Sequence, residues 1–190
     1  MEKIKEIIQK IKANKLLKSE IIVTIISLIL GTLLHFTYQW SGKSLFVASF
    51  SAVNESVWEH LKLIFYPMTL MAIIQYFLVK DNVNNYIEAN TIGIFSGISF
   101  IIISFFTYTG IIGTNFFLLD ILIFIISVIF GEWISYRFMI RDDESNLKSK
   151  ILASIILVFL IICFIVCTYY PPEVNLYRDP TTGLYGTNKV

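Results

Sequence analysis

The amino-acid sequence predicts an all-α membrane protein, a polytopic bundle of about five transmembrane helices, from three observations. Hydrophobic residues make up 56% of the 190 residues and charged residues only 15%, and the mean hydropathy is +0.72, which is typical of membrane proteins. Five apolar stretches are each long enough to cross a hydrocarbon core of about 30 Å as a helix. No stretch alternates apolar and polar residues as the strands of a membrane barrel do, so backbone groups must be satisfied within helices.

The predicted spans follow one another closely along the chain. They cover residues 21–40, 61–79, 91–108, 116–138 and 151–169. The whole chain, 1–190, is therefore interpreted as a single integral membrane domain. Residues 1–18 form a basic amphipathic flank and residues 171–190 a tail.

The distribution of positive charge predicts the orientation. Six of the fifteen basic residues precede the first span: Lys3, Lys5, Lys10, Lys12, Lys15 and Lys18. Because cytoplasmic flanks carry an excess of lysine and arginine, we expect the N-terminus inside and, after five crossings, the tail outside. The first span is expected to remain as an uncleaved anchor. The flank itself lies on the anionic membrane surface or is simply solvated, and the sequence favours neither.

Small residues in the third span predict close helix packing. Gly93 and Gly97 form a Gly-x-x-x-Gly pair, which lets two helix backbones approach each other. The partner helix belongs either to the same chain or to a second copy in a homo-oligomer.

The run of ionisable residues at 54–62, which opens the second span, is the leading candidate for a site. Charged groups are costly in a bilayer and therefore usually mark a functional site or a paired structural contact. A structural interpretation is available: Ser51 or Asn54 caps the helix, Glu55 lies in its first turn, and Glu59 pairs with Lys62 three residues on.

Two further ionisable residues are expected at the depth of this run. His35 lies five residues before Trp40, and Asp120 lies about five residues into the fourth span, so each is placed roughly 7 Å below the outer surface. One hypothesis is a divalent metal that activates water. Its ligands would be His35, Glu55, Glu59 and Asp120, with Glu55 and Glu59 one turn apart on the same face of the helix.

The second hypothesis is metal-free acid–base chemistry. His60 would be the general base towards Ser56 or a water, with Glu59 or Asp120 orienting its ring. Lys62, Arg178 and Asp179 are further candidate orienting or binding residues, the last two in a tail that would act as a lid. Glu132 lies about 18 Å along the helix from Asp120 and is not expected to share this site.

Several strings of the sequence carry a resemblance to a known family. They are LHFTY at 34–38, SAVNESVWEHLK at 51–62, YTG at 108–110 and PPEVNLYRDPTTGLYG at 171–186. On them the chain resembles a family of small multi-pass membrane proteins of Gram-positive bacteria, a domain of unknown function. The resemblance implies a protein of the bacterial plasma membrane in which the outer residues and the tail form one unit.

Three functions follow from these observations. The first is a membrane-embedded hydrolase or transferase acting on a lipid or envelope substrate at the outer leaflet. In that enzyme His60 and Glu59 would be the catalytic acid–base pair, with Glu55, His35 and Asp120 as orienting groups or metal ligands. The alternative is a small cation- or proton-linked carrier or accessory subunit, for which polar residues should continue through the membrane towards Glu132. The third is a structural partner of a larger membrane complex. A nucleotide motif and a nucleic-acid patch are both absent from the sequence.

Overall fold

The computed structural model describes residues 2–80, 83–141 and 143–187, with side chains described from residue 13 onward. Within these ranges the chain is helical and contains no strand beyond an isolated bridge between Arg178 and Tyr185. The elements are α1 (Glu2–Trp40), α2 (Leu45–Ala48), α3 (Val57–Val79), α4 (Tyr86–Ile112), α5 (Phe117–Met139), α6 (Leu147–Tyr169) and a 3₁₀ helix (Asn175–Tyr177).

The prediction of five spans is confirmed, because five helices are long and apolar enough to cross a membrane. Four of the five spanning helices start earlier than the hydropathy pattern indicated, and α5 starts one residue later. In α4, the buried Asn90 lies inside the helix and donates to the carbonyl of Tyr86. In α1, the candidate span begins at Ala13 and includes the buried Glu20. Protein packing accommodates these polar groups, so they do not end the spans. Residues 2–12 continue α1 as a helix, but their side chains lie outside the description, and the predicted membrane-surface flank stays a prediction.

Helix α3 is the centre of the bundle, since it contacts α1, α4, α5, α6 and the 3₁₀ helix. It is also the most buried of the five candidate spans. Its apolar residues Leu61, Ile64, Phe65 and Met68 form the main core with side chains from the surrounding helices. The outward faces of the other helices remain apolar, as lipid contact requires.

Helices α4 and α5 pack closely through small residues. A Cβ atom added at Gly93 would lie 1.9 Å from the Ser135 hydroxyl oxygen and 2.5 Å from the Gly131 carbonyl oxygen. A Cβ added at Gly97 would lie 3.0 Å from the Ser127 carbonyl. The predicted Gly-x-x-x-Gly packing face is therefore used within the chain, against α5.

The segment between α1 and α3 folds back onto α1. Ser51 is fully buried; its hydroxyl donates to the Leu34 carbonyl over 2.5 Å and accepts from the Tyr38 N–H over 3.0 Å. Ser49 and Tyr169 share a hydrogen bond of 2.9 Å, which joins this segment to the end of α6.

The tail packs over the same end of the bundle. The Asn54 side chain donates to the Gly186 carbonyl over 3.0 Å, and the Thr187 N–H donates to the Thr168 carbonyl over 3.3 Å. The rings of Trp58 and Tyr177 lie 4.7 Å apart. We call this end, where α1 and α6 finish, α3 begins and residues 171–187 pack, the tail end.

The α4–α5 contact predicts the effect of adding one methyl group. Gly93→Ala would force α4 away from Ser135 and Gly131, so we expect it to destabilise the protein by about 1–3 kcal/mol. Thermal unfolding in detergent measures this. Gly110→Ala in the same helix is the matched control, because a Cβ there meets nothing within 4 Å. Equal midpoints for the two variants would contradict the packing.

Candidate functional site

Helix α3 begins two residues later than capping by Asn54 implies and five residues later than capping by Ser51 implies. Its N-cap is Ser56, whose hydroxyl accepts from the Glu59 N–H over 3.4 Å. The expectation that Ser51 or Asn54 caps the helix is wrong: Ser51 is bonded to α1, and the Asn54 side chain accepts from the Ser56 N–H over 2.9 Å. Glu55 therefore precedes the helix instead of lying in its first turn. The expected shared face of Glu55 and Glu59 does not form.

A buried ion pair lies just inside the start of α3. The Lys62 ammonium is 2.5 Å from Glu59 Oε2, and the two side chains are 0% and 2% exposed. Lys62 also donates to the Ala48 carbonyl over 2.8 Å and to the Thr168 hydroxyl over 2.9 Å. Glu59 accepts from the Val53 N–H over 3.0 Å and lies 3.0 Å from the Thr168 hydroxyl. The predicted pairing of Glu59 with Lys62 is thus confirmed.

His35, Glu55 and His60 form a separate cluster beside this pair. Glu55 Oε2 lies 3.5 Å from His60 Nε2 and 3.9 Å from His35 Nε2. One ligand atom from each residue lies within 4.8 Å of the others. The side chains of His35 and His60 are about one-third exposed and that of Glu55 about half, at 33%, 31% and 49%. The cluster is reachable from outside the bundle, whereas the ion pair is not.

The orientation of His60 is set by the backbone of the same helix. Its Nδ1 lies 2.9 Å from the Ser56 carbonyl oxygen, which accepts the proton when this nitrogen carries it. That tautomer leaves Nε2, the nitrogen that faces Glu55, with a free lone pair. A ring held by a carbonyl in this way is the usual arrangement of a metal-binding histidine.

The remaining predicted site residues lie elsewhere. Asp120 is in the first turn of α5, where its carboxylate accepts from Tyr108 and, over 3.0 Å, from Asn115. Since the Tyr108 hydroxyl also accepts from the Phe116 N–H, Asp120 organises the turn between α4 and α5. The expected set of His35, Glu55, Glu59 and Asp120 is not brought together.

In the tail, Asp179 has a structural environment. It is buried, and its Oδ1 accepts from the N–H and the hydroxyl of Thr181, each over 2.7 Å. Burial by itself would raise the pKa of Asp179, but the hydrogen bonds from Thr181 and Thr182 outweigh it and hold the pKa below its usual value. Arg178 is exposed and donates to the Gly183 carbonyl over 3.4 Å.

Several groups that complete the site could not be predicted from the sequence. Thr168, in the last turn of α6, contacts both charges of the ion pair. Ala48 and Val53 contribute only backbone atoms. A single threonine in an apolar helix and two backbone groups form no recognisable sequence pattern. The polar run 54–62 predicted the place of the site but not these partners.

Fold and site together define the class of protein: a multi-pass membrane protein of five candidate spans, with a buried ion pair and a histidine–glutamate cluster at one end. Residues 8–187 match the family described as "Family of unknown function (DUF6512)", and the chain belongs to this family. No curated protein and no solved structure matches the chain. The family confirms the expected domain of unknown function, while a Gram-positive origin stays a prediction.

The ion pair predicts a non-additive mutational effect. Lys62→Met leaves the Glu59 carboxylate buried without its cation, so we expect a loss of about 3–5 kcal/mol in stability. The double variant Glu59→Gln/Lys62→Met removes both charges and should recover much of that loss. Unfolding midpoints in detergent measure both effects. A double variant less stable than either single variant would contradict this prediction.

The tail contacts predict a fluorescence response at Trp58. Asp179→Ala removes the acceptor of the Thr181 turn, so we expect tail docking to weaken by about 1–3 kcal/mol and Trp58 to separate from Tyr177. Acid should have the same effect as the substitution. Because the pKa of Asp179 is lowered in the folded protein, its carboxylate stabilises the docked tail above the ordinary pKa of about 3.9. This stabilisation is lost as the pH falls through the lowered pKa.

Emission is measured in a background in which Trp40 and Trp133 are phenylalanine. Glu173→Ala, an exposed acidic residue of the same tail, is the control and should leave the emission unchanged. Equal responses from the two variants would disprove the role of Asp179.

Proposed function

We propose that this protein is a metal-dependent hydrolase of the membrane surface, with a divalent cation, zinc by preference, bound by His35, Glu55 and His60. The single observation that carries the proposal is the convergence of these three side chains, from α1, from the segment before α3 and from α3 itself.

The donor set supports zinc. Two imidazoles and one carboxylate are the ligands of several catalytic zinc sites, which keep a fourth position for water. Atoms bound to one zinc ion at about 2.0–2.2 Å lie roughly 3–4 Å apart, so side-chain movements of about 1 Å would close the cluster around the ion. Partial exposure of all three side chains leaves room for a water and a substrate.

The chemistry follows from the bound water. Zinc lowers the pKa of its water to about 7, which supplies hydroxide as a nucleophile at neutral pH. In this proposal Glu55, His35 and His60 are ligands. Glu59 and Ser56 are positioning residues, because Glu59 is occupied by Lys62 and Ser56 caps the helix that carries His60. The metal-free alternative, with His60 as base and Ser56 as nucleophile, is less favoured because the Ser56 side chain is fully buried.

The surroundings favour a lipid-like substrate. Next to His35, the rings of Phe36 and Trp40 are stacked 5.7 Å apart on the exposed face of α1. Exposed aromatic side chains at the end of a span are typical of the membrane–water interface. A substrate with an apolar chain and a hydrolysable ester or phosphodiester head group would reach the cluster from the lipid.

The membrane and its side are also part of the proposal. The lysines before the first span favour an N-terminus in the cytoplasm, and five crossings would then put the tail end outside, at the outer leaflet of a bacterial plasma membrane. The packed tail borders the site, where it would limit access of large substrates.

A carrier is the less favoured function. Between Lys62 and Gln75 the buried residues of α3 are all apolar: Leu63, Ile64, Phe65, Pro67, Met68, Met71 and Ala72. Lys62 and Gln75 are separated by about 20 Å of helix rise, and α3 has no charged side chain between them.

The proposal predicts stoichiometric zinc that depends on the cluster. We expect one zinc per chain in the purified parent protein after incubation with zinc and desalting, measured by elemental analysis. Loss of a residue that only hydrogen-bonds to a metal ligand weakens metal binding by about 10–100-fold. Since His35 and His60 are ligands in this proposal, His35→Ala and His60→Ala should each weaken zinc binding by more than that. The same variants should release less fatty acid or head group from phospholipid vesicles than the parent protein does, as measured by mass spectrometry.

Asp120→Asn is the matched control, because it removes a carboxylate that the sequence nominated but that lies with Tyr108 and Asn115. It should retain zinc. A parent protein that binds no zinc, or an Asp120→Asn variant that loses it while remaining monodisperse, would overturn this assignment of ligands.

A further inference from the structure

A second polar cluster lies between α1 and α5, far from the tail end. The carboxyl groups of Glu20 and Glu132 lie against each other, with the two residues only 4% and 3% exposed. Glu20 Oε2 and Glu132 Oε1 each lack a hydrogen-bond partner. The fully buried Ser27 hydroxyl lies beside Glu132.

The other sides of the pair are polar but uncharged. Gln75 of α3 donates to Glu20 Oε1 over 2.6 Å and accepts from the Tyr86 hydroxyl of α4 over 2.8 Å. Tyr86 is the titratable group that faces both carboxyls from α4. Among the side chains that the structure describes, no lysine or arginine forms an ion pair with either glutamate.

This arrangement requires a proton. Two buried carboxylates in contact repel each other, and without a cation the cost of burying two negative charges is uncompensated. A carboxyl group can donate a hydrogen bond to a carboxylate only if it is protonated. One shared proton would satisfy both free oxygens and leave a single negative charge, which the Gln75 amide stabilises.

A polar route leads from the pair through Gln75 to Ser19. Ser19, half-buried on α1, accepts from the Gln75 amide over 3.0 Å, and the preceding Lys18 is exposed. On the other side lies the apolar stretch of α3 that separates Gln75 from Lys62.

We propose that Glu20 and Glu132 form a proton-binding site that holds one shared proton and exchanges it at the end of the bundle opposite the tail end. The site is independent of the metal cluster. Because the pair lies where α1 packs against α5, the shared proton removes a repulsion between two carboxylates of these helices.

Infrared spectroscopy of the full-length protein in detergent at neutral pH tests the proposal. A protonated carboxyl group absorbs at higher frequency than a carboxylate, and we expect this band in the parent protein, shifted after exchange into D₂O. Glu20→Gln and Glu132→Gln should each abolish it, because the remaining glutamate can then ionise and accept from the new amide.

Glu88→Gln is the control, since Glu88 of α4 accepts from Ser149 over 2.6 Å and has its own donors. This variant should keep the band. Absence of the band in the parent overturns the proposal without reference to any variant. Persistence of the band in folded Glu20→Gln or Glu132→Gln also overturns it, because a single desolvated acid would then hold the proton.

Discussion

The buried ion pair of Glu59 and Lys62 is the interaction on which the tail end depends. Its two side chains hold the Ala48 carbonyl, the Val53 N–H and the Thr168 hydroxyl, and so connect α3 to the preceding segment and to α6. Removing two charges from water costs several kcal/mol each, and the attraction between them offsets this cost only because these hydrogen bonds are also made. The pair therefore specifies one arrangement of the segments around it.

The histidine–glutamate cluster depends on that arrangement. Glu55 lies between Val53 and Glu59, so its position follows from the hydrogen bond between those two residues. His60 follows Glu59 on the first turns of α3, and its ring is held by the Ser56 carbonyl. His35 is brought to the same place by the hydrogen bonds of Ser51 to α1. The buried ion pair thus stabilises the segments that position the accessible cluster. The residues that stabilise this end of the bundle are therefore different from the proposed metal ligands.

The fold could be predicted from the sequence to a large extent, because span length and hydropathy follow directly from the thickness of the bilayer. Helix starts were less accurate, since Glu20 and Asn90 are polar residues that the bundle buries. For the site, the run 54–62 identified the right segment, but the start of α3 was misplaced by the assumption that Asn54 or Ser51 caps it. That shift removed Glu55 from the face of Glu59. The pairing of Glu20 with Glu132 depends on the order of helices in the bundle, which no local pattern encodes.

The most direct test of the account is the zinc X-ray absorption spectrum of the full-length protein loaded with one equivalent of zinc. The account predicts a four-coordinate ion with nitrogen and oxygen neighbours at about 2.0–2.2 Å, including the outer-ring scattering of two imidazoles. That imidazole signal should fall by half in His60→Ala if zinc is still held. A spectrum without imidazole scattering in the parent protein would contradict the assignment of His35 and His60 as ligands.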